Sequence, residues 1–529
     1  MTARAKHPRP AEPIIRALLS SFLLICSFPG PDAGWLSAVA LVPLLTIVVR
    51  VGKGRAFLLG WLCGTVWFAV SLNWLTQTIR LYGGLPLVAS GLLILLLGCV
   101  LGLYIGIFAL TVRCISDWPG AWWFLVIPPA WVLIEYARSW IPAPFPWLLL
   151  GTVFWKYPAV SGFYGLFGVY GLSFILVLVN ALVWRTLEDR RRPGGGRLAA
   201  VRLVAFMVPV LLMYLALSVQ GATDEEASIR IGIVQGNYDQ GLKWSESLKE
   251  EIVRTYVGLS DQAAAAGASL ILWPETSVTS YFQSDTQLSG QLRAFSRQRD
   301  VHLVFGSPAF QWREGRHVLY NRAYHLAPDG GVRSYDKIRL VPFGEYVPFR
   351  PLLSFAARLV PGEGQFVPGK PTDPFPLSVP AGPLICYEAS MPDLSRDQVR
   401  RGARILLNLT NDAWFGTSWG PYQHLAMAAV RAAELRTPLL RAANTGISAV
   451  IDDRGRIVKR LGLLERGVIV ADVTPGSGGT MYSRWGDWIV YLSILMIIFI
   501  GLGKIRKIYP INQGGKGHDP SGRFQADRR

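Results

Sequence analysis

An α-helical polytopic membrane domain joined to an extramembrane α/β domain is the architecture this sequence predicts. Three observations lead to it. The 529 residues are 51% hydrophobic and only 17% charged, too apolar for an ordinary soluble protein. The apolar residues gather into eight stretches, each near the roughly 20 residues a bilayer-crossing helix needs. One long polar block, 220–486, interrupts them.

The stretches run 14–30, 34–50, 56–78, 84–112, 121–140, 162–184 and 200–219, then 487–503. The first follows Arg4, Lys6 and Arg9 as a signal peptide would. It lacks a convincing small-residue cleavage site, so it reads as an uncleaved span. The fifth is interrupted by Pro128, Pro129, Glu135 and Arg138. The last two lie one helical turn apart and are expected to face away from lipid, because ionisable groups at that depth need partners or water.

Charge sets the orientation. With the N-terminus placed in the cytoplasm, the cytoplasmic segments hold 21 Lys and Arg, whereas the short external loops hold only Arg80, Arg138 and Lys156. That asymmetry fits the positive-inside rule. It also absorbs much of the net charge of +18, so a nucleic-acid partner need not be invoked. The expected domains are therefore 1–219 with seven transmembrane helices, 220–486 on the outer face, 487–503 as an eighth span, and a basic cytoplasmic tail, 504–529, without fixed structure.

The polar block reads as α/β. Short β-branched runs recur at 229–235, 269–275, 301–306, 382–387, 403–409 and 467–473, with helical patterns at 249–268 and from His424 to Leu435. Near-continuous apolar strands imply a sheet covered on both faces. Several runs end in polar residues. Glu275 follows a strand in Trp-Pro-Glu, where proline ends the ladder and presents the carboxylate at the carboxyl end of the sheet. Lys337 precedes an apolar, proline-rich loop that carries one acid, Glu345. Asn408, Asn411 and Asp412 end another strand, followed by Trp414, Phe415 and Trp419, which suggests a pocket mouth or a membrane-facing rim.

Cys386 is the only cysteine in this block, so it cannot form a disulfide within it. It is inert core, an intermolecular partner or a reactive thiol. His424 lies within a helical stretch and is not the expected partner of that thiol. No spacing suits a metal, and neither a nucleophile elbow nor a Walker loop is present.

Taken together, these fragments resemble the nitrilase superfamily. The order Glu275, Lys337, Cys386 matches its Glu-Lys-Cys triad, in Trp-Pro-Glu, Tyr-Asp-Lys and Ile-Cys-Tyr-Glu. Placed between the seventh and eighth spans, such a domain looks like that of the bacterial apolipoprotein N-acyltransferase family. The likeness includes Leu340–Glu345, Asn411–Gly416, Leu439–Gly446, Phe145–Trp147 and Gly168–Gly171. The resemblance implies an α-β-β-α sandwich on the periplasmic side of the inner membrane. It implies an acyl transfer from a phospholipid, through a Cys386 thioester, to the α-amino group of a diacylglyceryl-cysteine on an apolipoprotein. Glu275 would be general base and acid, and Lys337 would stabilise thiolate and oxyanion. Glu345, Tyr387 and Glu388 would support them. Trp244, Trp414, Phe415 and Asn411 are the substrate-binding candidates, and no cofactor is implied. Two other readings of the residues stay open: a membrane-tethered amidase or nitrilase passing the acyl group to water, and a non-enzymatic receptor in which Cys386 is core.

Overall fold

The computed structural model describes residues 10–116, 123–190, 228–313, 315–348 and 366–508. The amino-terminal half is helical: α1 (Glu12–Ser27), α2 (Val42–Val48), α3 (Lys53–Ser71), α4 (Trp74–Gly83), α5 (Leu87–Ile115), α6 (Trp123–Arg138) and α7 (Ser161–Asp189). Three described helical segments are long and apolar enough to cross a bilayer unaided: Lys53–Ser71, Leu87–Ile115 and Pro158–Asp189.

The expected spans need correction in places. The second stretch is not one helix but a 3-10 turn, Gly34–Ala38, followed by the short α2. A break in apolar surroundings must satisfy its own main chain. Asn180 on α7 does this, with Oδ1 accepting from Leu41 N at 2.8 Å and Nδ2 donating to Ser37 O at 2.7 Å. The third stretch ends at Ser71, and its last residues begin α4. In the fifth, helix α6 runs through both prolines. The seventh stretch, 200–219, and the tail beyond 508 lie outside the described residues.

Glu135 and Arg138 are buried, as their spacing suggested. Arg138 donates to the carbonyls of Trp147 (2.5 Å) and Leu148 (3.3 Å), and Glu135 Oε1 accepts from Leu150 N (2.7 Å). The pair thus fixes the turn that carries Trp147.

The polar block is a four-layer sandwich. One sheet has the order β11-β1-β2-β3-β4-β5 and the other β10-β9-β8-β7-β6. In the first, β1 (Ile229–Gln235), β2 (Leu270–Leu272) and the start of β3 (His302–Arg313) pair in parallel; β4 (Arg316–Leu326), β5 (Val332–Asp336) and β11 (Gly467–Val473) are antiparallel. In the second, β6 (Ala381–Ile385), β7 (Ile405–Thr410) and β8 (Leu439–Ala443) are parallel, and β9 (Ser448–Ile451) and β10 (Ile457–Leu461) close it antiparallel.

Strand alternation sorts the side chains into layers. Ile231, Ile233, Leu270, Leu272, Ile405, Leu407 and Leu409 meet between the sheets. The intervening Ile271 and Leu303 face α8 (Lys249–Ala265) and α9 (Thr286–Arg299), in a cluster with Ile252, Tyr256 and Leu292. On the far side, Leu384 and Leu406 share one core with α11 (Gly420–Leu435) and with the amino-terminal helices. Helix α10 (Pro392–Arg400) precedes β7. Of α11, only Tyr422 escapes burial. A helix apolar nearly all round is covered on all sides, and this one lies between the second sheet and the helical domain. The chain closes with α12 (Met481–Trp485) and α13 (Trp488–Ile508).

Candidate active site

Glu275 and Cys386 follow β2 and β6, parallel strands of opposite sheets, so both sit at carboxyl ends, where open α/β sheets keep their sites. Lys337 directly follows β5. The turn after β2 packs so tightly on β3 that a Cβ on Gly306 would lie 2.5 Å from Thr276 N and 2.8 Å from Glu275 Cα. Only glycine permits that approach.

Lys337 is 2% exposed, and its Nζ donates to Glu345 Oε1 at 2.9 Å and to Glu275 Oε1 at 3.2 Å. Burial opposes its charge, but Glu275 and Glu345 outweigh burial and hold its pKa well above the ordinary lysine range. Asn321 on β4 donates from Nδ2 to Glu275 Oε1 at 2.7 Å and to Glu345 Oε1 at 3.0 Å. Two carboxylates therefore share one ammonium and one amide.

Cys386 has φ 51°, a left-handed conformation that non-glycine residues rarely adopt. It opens a 3-10 turn, Cys386–Ser390. Its thiol is pushed up to about 12 by burial first and by Glu275 next, with Lys337 pulling the other way. The sulfur is thus a protonated thiol at neutral pH and needs a base before it can attack. A carboxylate and an ammonium in electrostatic range of a strained thiol can run acyl chemistry through a covalent intermediate.

The carbon-nitrogen hydrolase family matches residues 230–481, and the apolipoprotein N-acyltransferase N-terminal domain matches residues 20–182. An apolipoprotein N-acyltransferase from Geobacter metallireducens is 38% identical over 485 residues, 90% of this chain and 92% of that one. The chain belongs to the apolipoprotein N-acyltransferase family. A member from Azotobacter vinelandii is 33% identical over 514 residues, covering 94% of this chain and 96% of its own. Among solved structures, a mutant of the Nesterenkonia AN1 amidase, from the nitrilase superfamily, is 22% identical with a TM-score of 0.37, covering 50% of this chain and 96% of that one.

The other residues named from the sequence fall into two groups in this acyltransferase. Glu345 joins Lys337 directly. Glu388 does not touch Lys337; it ties the two strand ends together. Its Oε1 accepts from Ile338 N (2.6 Å) and Arg339 N (3.1 Å), and its Oε2 from Ile385 N (2.7 Å) and Tyr335 Oη (2.9 Å). Tyr387 donates to Pro144 O at 2.6 Å and stacks on Trp147 at 6.3 Å, linking the turn that carries Cys386 to the helical domain.

The binding candidates are more dispersed. Trp414 meets Tyr82 edge-on at 4.5 Å, Phe415 meets Trp74 in the same way at 4.5 Å, and Thr78 donates to Trp414 O, so α4 braces this loop. Asn411 is 2% exposed and bonded to Gln240 and Asn444, a structural tie between loops. Trp244 stays 45% exposed.

Sequence reasoning missed Asn321, Lys243, Arg441 and the placement of His424. Arg441 on β8 faces Asn408 in the register and donates to Asp412 Oδ2 at 2.6 Å. Lys243 is buried against the turn that follows Glu275. The one signal for Asn408 and Arg441 was a polar residue inside an otherwise apolar strand.

Proposed function

We propose that this acyltransferase moves a fatty acyl chain from a membrane phospholipid to the α-amino group of the N-terminal diacylglyceryl-cysteine of apolipoproteins, through a thioester on Cys386. The observation that carries the reading is a single buried ammonium, Lys337, held between Glu275 and Glu345 in electrostatic range of a left-handed cysteine.

Glu275 takes the thiol proton as sulfur attacks the ester carbonyl. Lys337 stabilises the oxyanion of the tetrahedral intermediate. Glu275 returns the proton to the leaving alkoxide, and lysophospholipid departs. The amine then attacks the thioester, Glu275 takes its proton, the C–S bond breaks and the thiol is restored. The scheme draws on no cofactor and no nucleic acid.

Both substrates are lipids, which suits a domain fused to apolar helices. A cavity of about 710 Å³, lined mostly by apolar side chains including Val70, Trp74, Leu81, Leu87, Ile94 and Trp419, is of a size to take an acyl chain. Trp74 leans on Trp147, which stacks on Tyr387 beside the nucleophile. Trp244, exposed in the loop that follows β1, and the braced Trp414 and Phe415 form the candidate rim. The charge asymmetry supports eight crossings of the inner membrane, with 220–486 periplasmic and both termini cytoplasmic.

Intact mass of the purified enzyme after exposure to phospholipid tests the reading. One added acyl group on Cys386, removed on addition of a diacylglyceryl-peptide with a free amine, is the expected result. Loss of that group to water at the same rate without the amine indicates hydrolysis instead. No adduct under either condition overturns the scheme.

A further inference from the structure

Lys243 follows β1 and precedes the exposed Trp244. Lys243 is buried, and the partners recorded for its ammonium among the described residues are Thr276 and the face of the Trp244 ring, 5.6 Å away, with no carboxylate among them. Lysine is rarely buried in that way without a function for the charge. Here Nζ donates to Thr276 Oγ1 at 2.6 Å and to Thr276 O at 3.2 Å.

Thr276 is the residue after Glu275, and its φ is 47°. A β-branched residue in the left-handed region is strained and persists only when its surroundings hold it there. On either side, Pro274 O accepts from Gly306 N at 3.2 Å and Val278 N donates to Gly306 O at 3.1 Å. Those bonds fix the flanks of the turn. Lys243 fixes its centre, and the centre sets the direction in which Glu275 leaves the main chain.

We propose that Lys243 is a positioning residue for Glu275: its ammonium locks the left-handed turn at Thr276 and so aims the carboxylate at Cys386. The inference rests on the reading of Glu275 as general base. Electrostatics agree with the geometry. Burial pulls Lys243 down to about 8, although Glu275 and Cys386 both favour its charge. Tyr238 and Tyr256 line the same small cavity. The cation is therefore within electrostatic range of Glu275 and Cys386, and with its pKa at about 8 its charge falls off in the mildly alkaline range.

The test is single-turnover acylation of the full-length protein in phospholipid nanodiscs, read by intact mass, for K243M, T276V and the double variant. Each single variant should acylate about 10- to 100-fold more slowly, the scale of an ångström-sized misplacement. The phospholipid KM should stay within about threefold. Because both act on one turn, the double variant should be no slower than the slower single. K243R, which keeps donors and charge, should recover much of the rate and hold it as pH rises through about 8, where the wild type declines. Additive losses, or a wild-type rate in folded K243M, overturn the inference. If K243M fails to fold by thermal melt, a wild-type rate in T276V overturns it equally. E275Q separates the two levels. A normal rate in E275Q removes the general base itself, whereas an inert E275Q beside a wild-type K243M removes only the role of Lys243.

Discussion

The ring of His424 donates from Nε2 to the carbonyl of Cys386 at 3.1 Å. A carbonyl only accepts, so Nε2 carries a proton. Asn408 Nδ2 reaches the same oxygen at 3.3 Å. The contact is to the main chain of Cys386, and it holds a conformation that cysteine rarely adopts unaided. A histidine beside a cysteine invites a Cys-His reading; here its bond is to the peptide behind the sulfur.

Replacing His424 with leucine should therefore slow acylation of Cys386 by about 10- to 100-fold, with the phospholipid KM little changed. Glutamine, which keeps a donor, should restore part of the rate. Rapid-quench mass measurement decides it. Equal rates for His424→Leu and His424→Gln would mean that the donor has no part.

Beneath His424 lies a buried charge pair. Asp412 accepts from Arg441 at 2.6 Å, and its Oδ1 is 2.9 Å from His424 Nδ1. Burial alone would raise its pKa, but Arg441 and then His424 hold it well below the ordinary carboxylate range. Asp412→Asn leaves Arg441 buried without its counter-charge and should cost about 3–5 kcal/mol. A depressed folded pKa places the stabilisation above the unfolded value of about 4 and loses it as pH falls through the folded value. The melting gap between wild type and Asp412→Asn should thus be flat from about pH 5 to 8 and narrow only in acid. A gap that closes on the alkaline side would contradict the pairing.

What the sequence disclosed follows from what local pattern can encode. Glu275 and Cys386 were legible because each ends an apolar strand abruptly, and Lys337 because an unusual apolar loop follows it. Asn321 was not. It sits in β4, Arg316–Leu326, where polar and apolar residues are mixed on both faces, so no period singles it out. Only the pairing with β3 and β5 turns its face onto Glu275 and Glu345. Hydropathy likewise marked 34–50 as apolar but could not show its break, because Asn180, far along the chain, stabilises that break.

Asn321 should be sensitive for the reason it was invisible. It is the only described amide that donates to both Glu275 and Glu345. With leucine there, Lys337 is the one described donor left to Glu275, Glu345 keeping the Val341 N–H as well, and acylation should fall by about 100-fold. Aspartate adds a third acid and should be worse than leucine, since like charges at a shared site disfavour ionisation. Comparing the two by single-turnover acylation checks the order; aspartate acting better than leucine would count against the shared-donor arrangement.

Reporter fusions near residues 350 and 510 address the topology. The 21-to-3 division of Lys and Arg predicts that the first lies outside the cytoplasm and the second within it. Two fusions reporting the same side would remove the eight-span arrangement.

The two half-reactions separate the three central residues. Cys386→Ala should form no thioester and transfer nothing, because no nucleophile remains. Lys337→Met keeps the stem and loses the charge, so acylation should fall by about 100- to 1000-fold without gross unfolding. Glu275→Gln tests the base directly. The thiol, pushed up to about 12 by burial and by Glu275, stays protonated at neutral pH, and glutamine cannot take its proton. Loss of Glu275 also removes a charge that disfavours thiolate, so the two effects oppose each other. The missing acceptor should dominate, since burial remains the larger cause of the raised value. The amine also needs an acceptor for its proton, so a thioester supplied to Glu275→Gln should still reach the amine slowly. A folded Glu275→Gln protein that acylates Cys386 at the normal rate would show that another group takes the thiol proton.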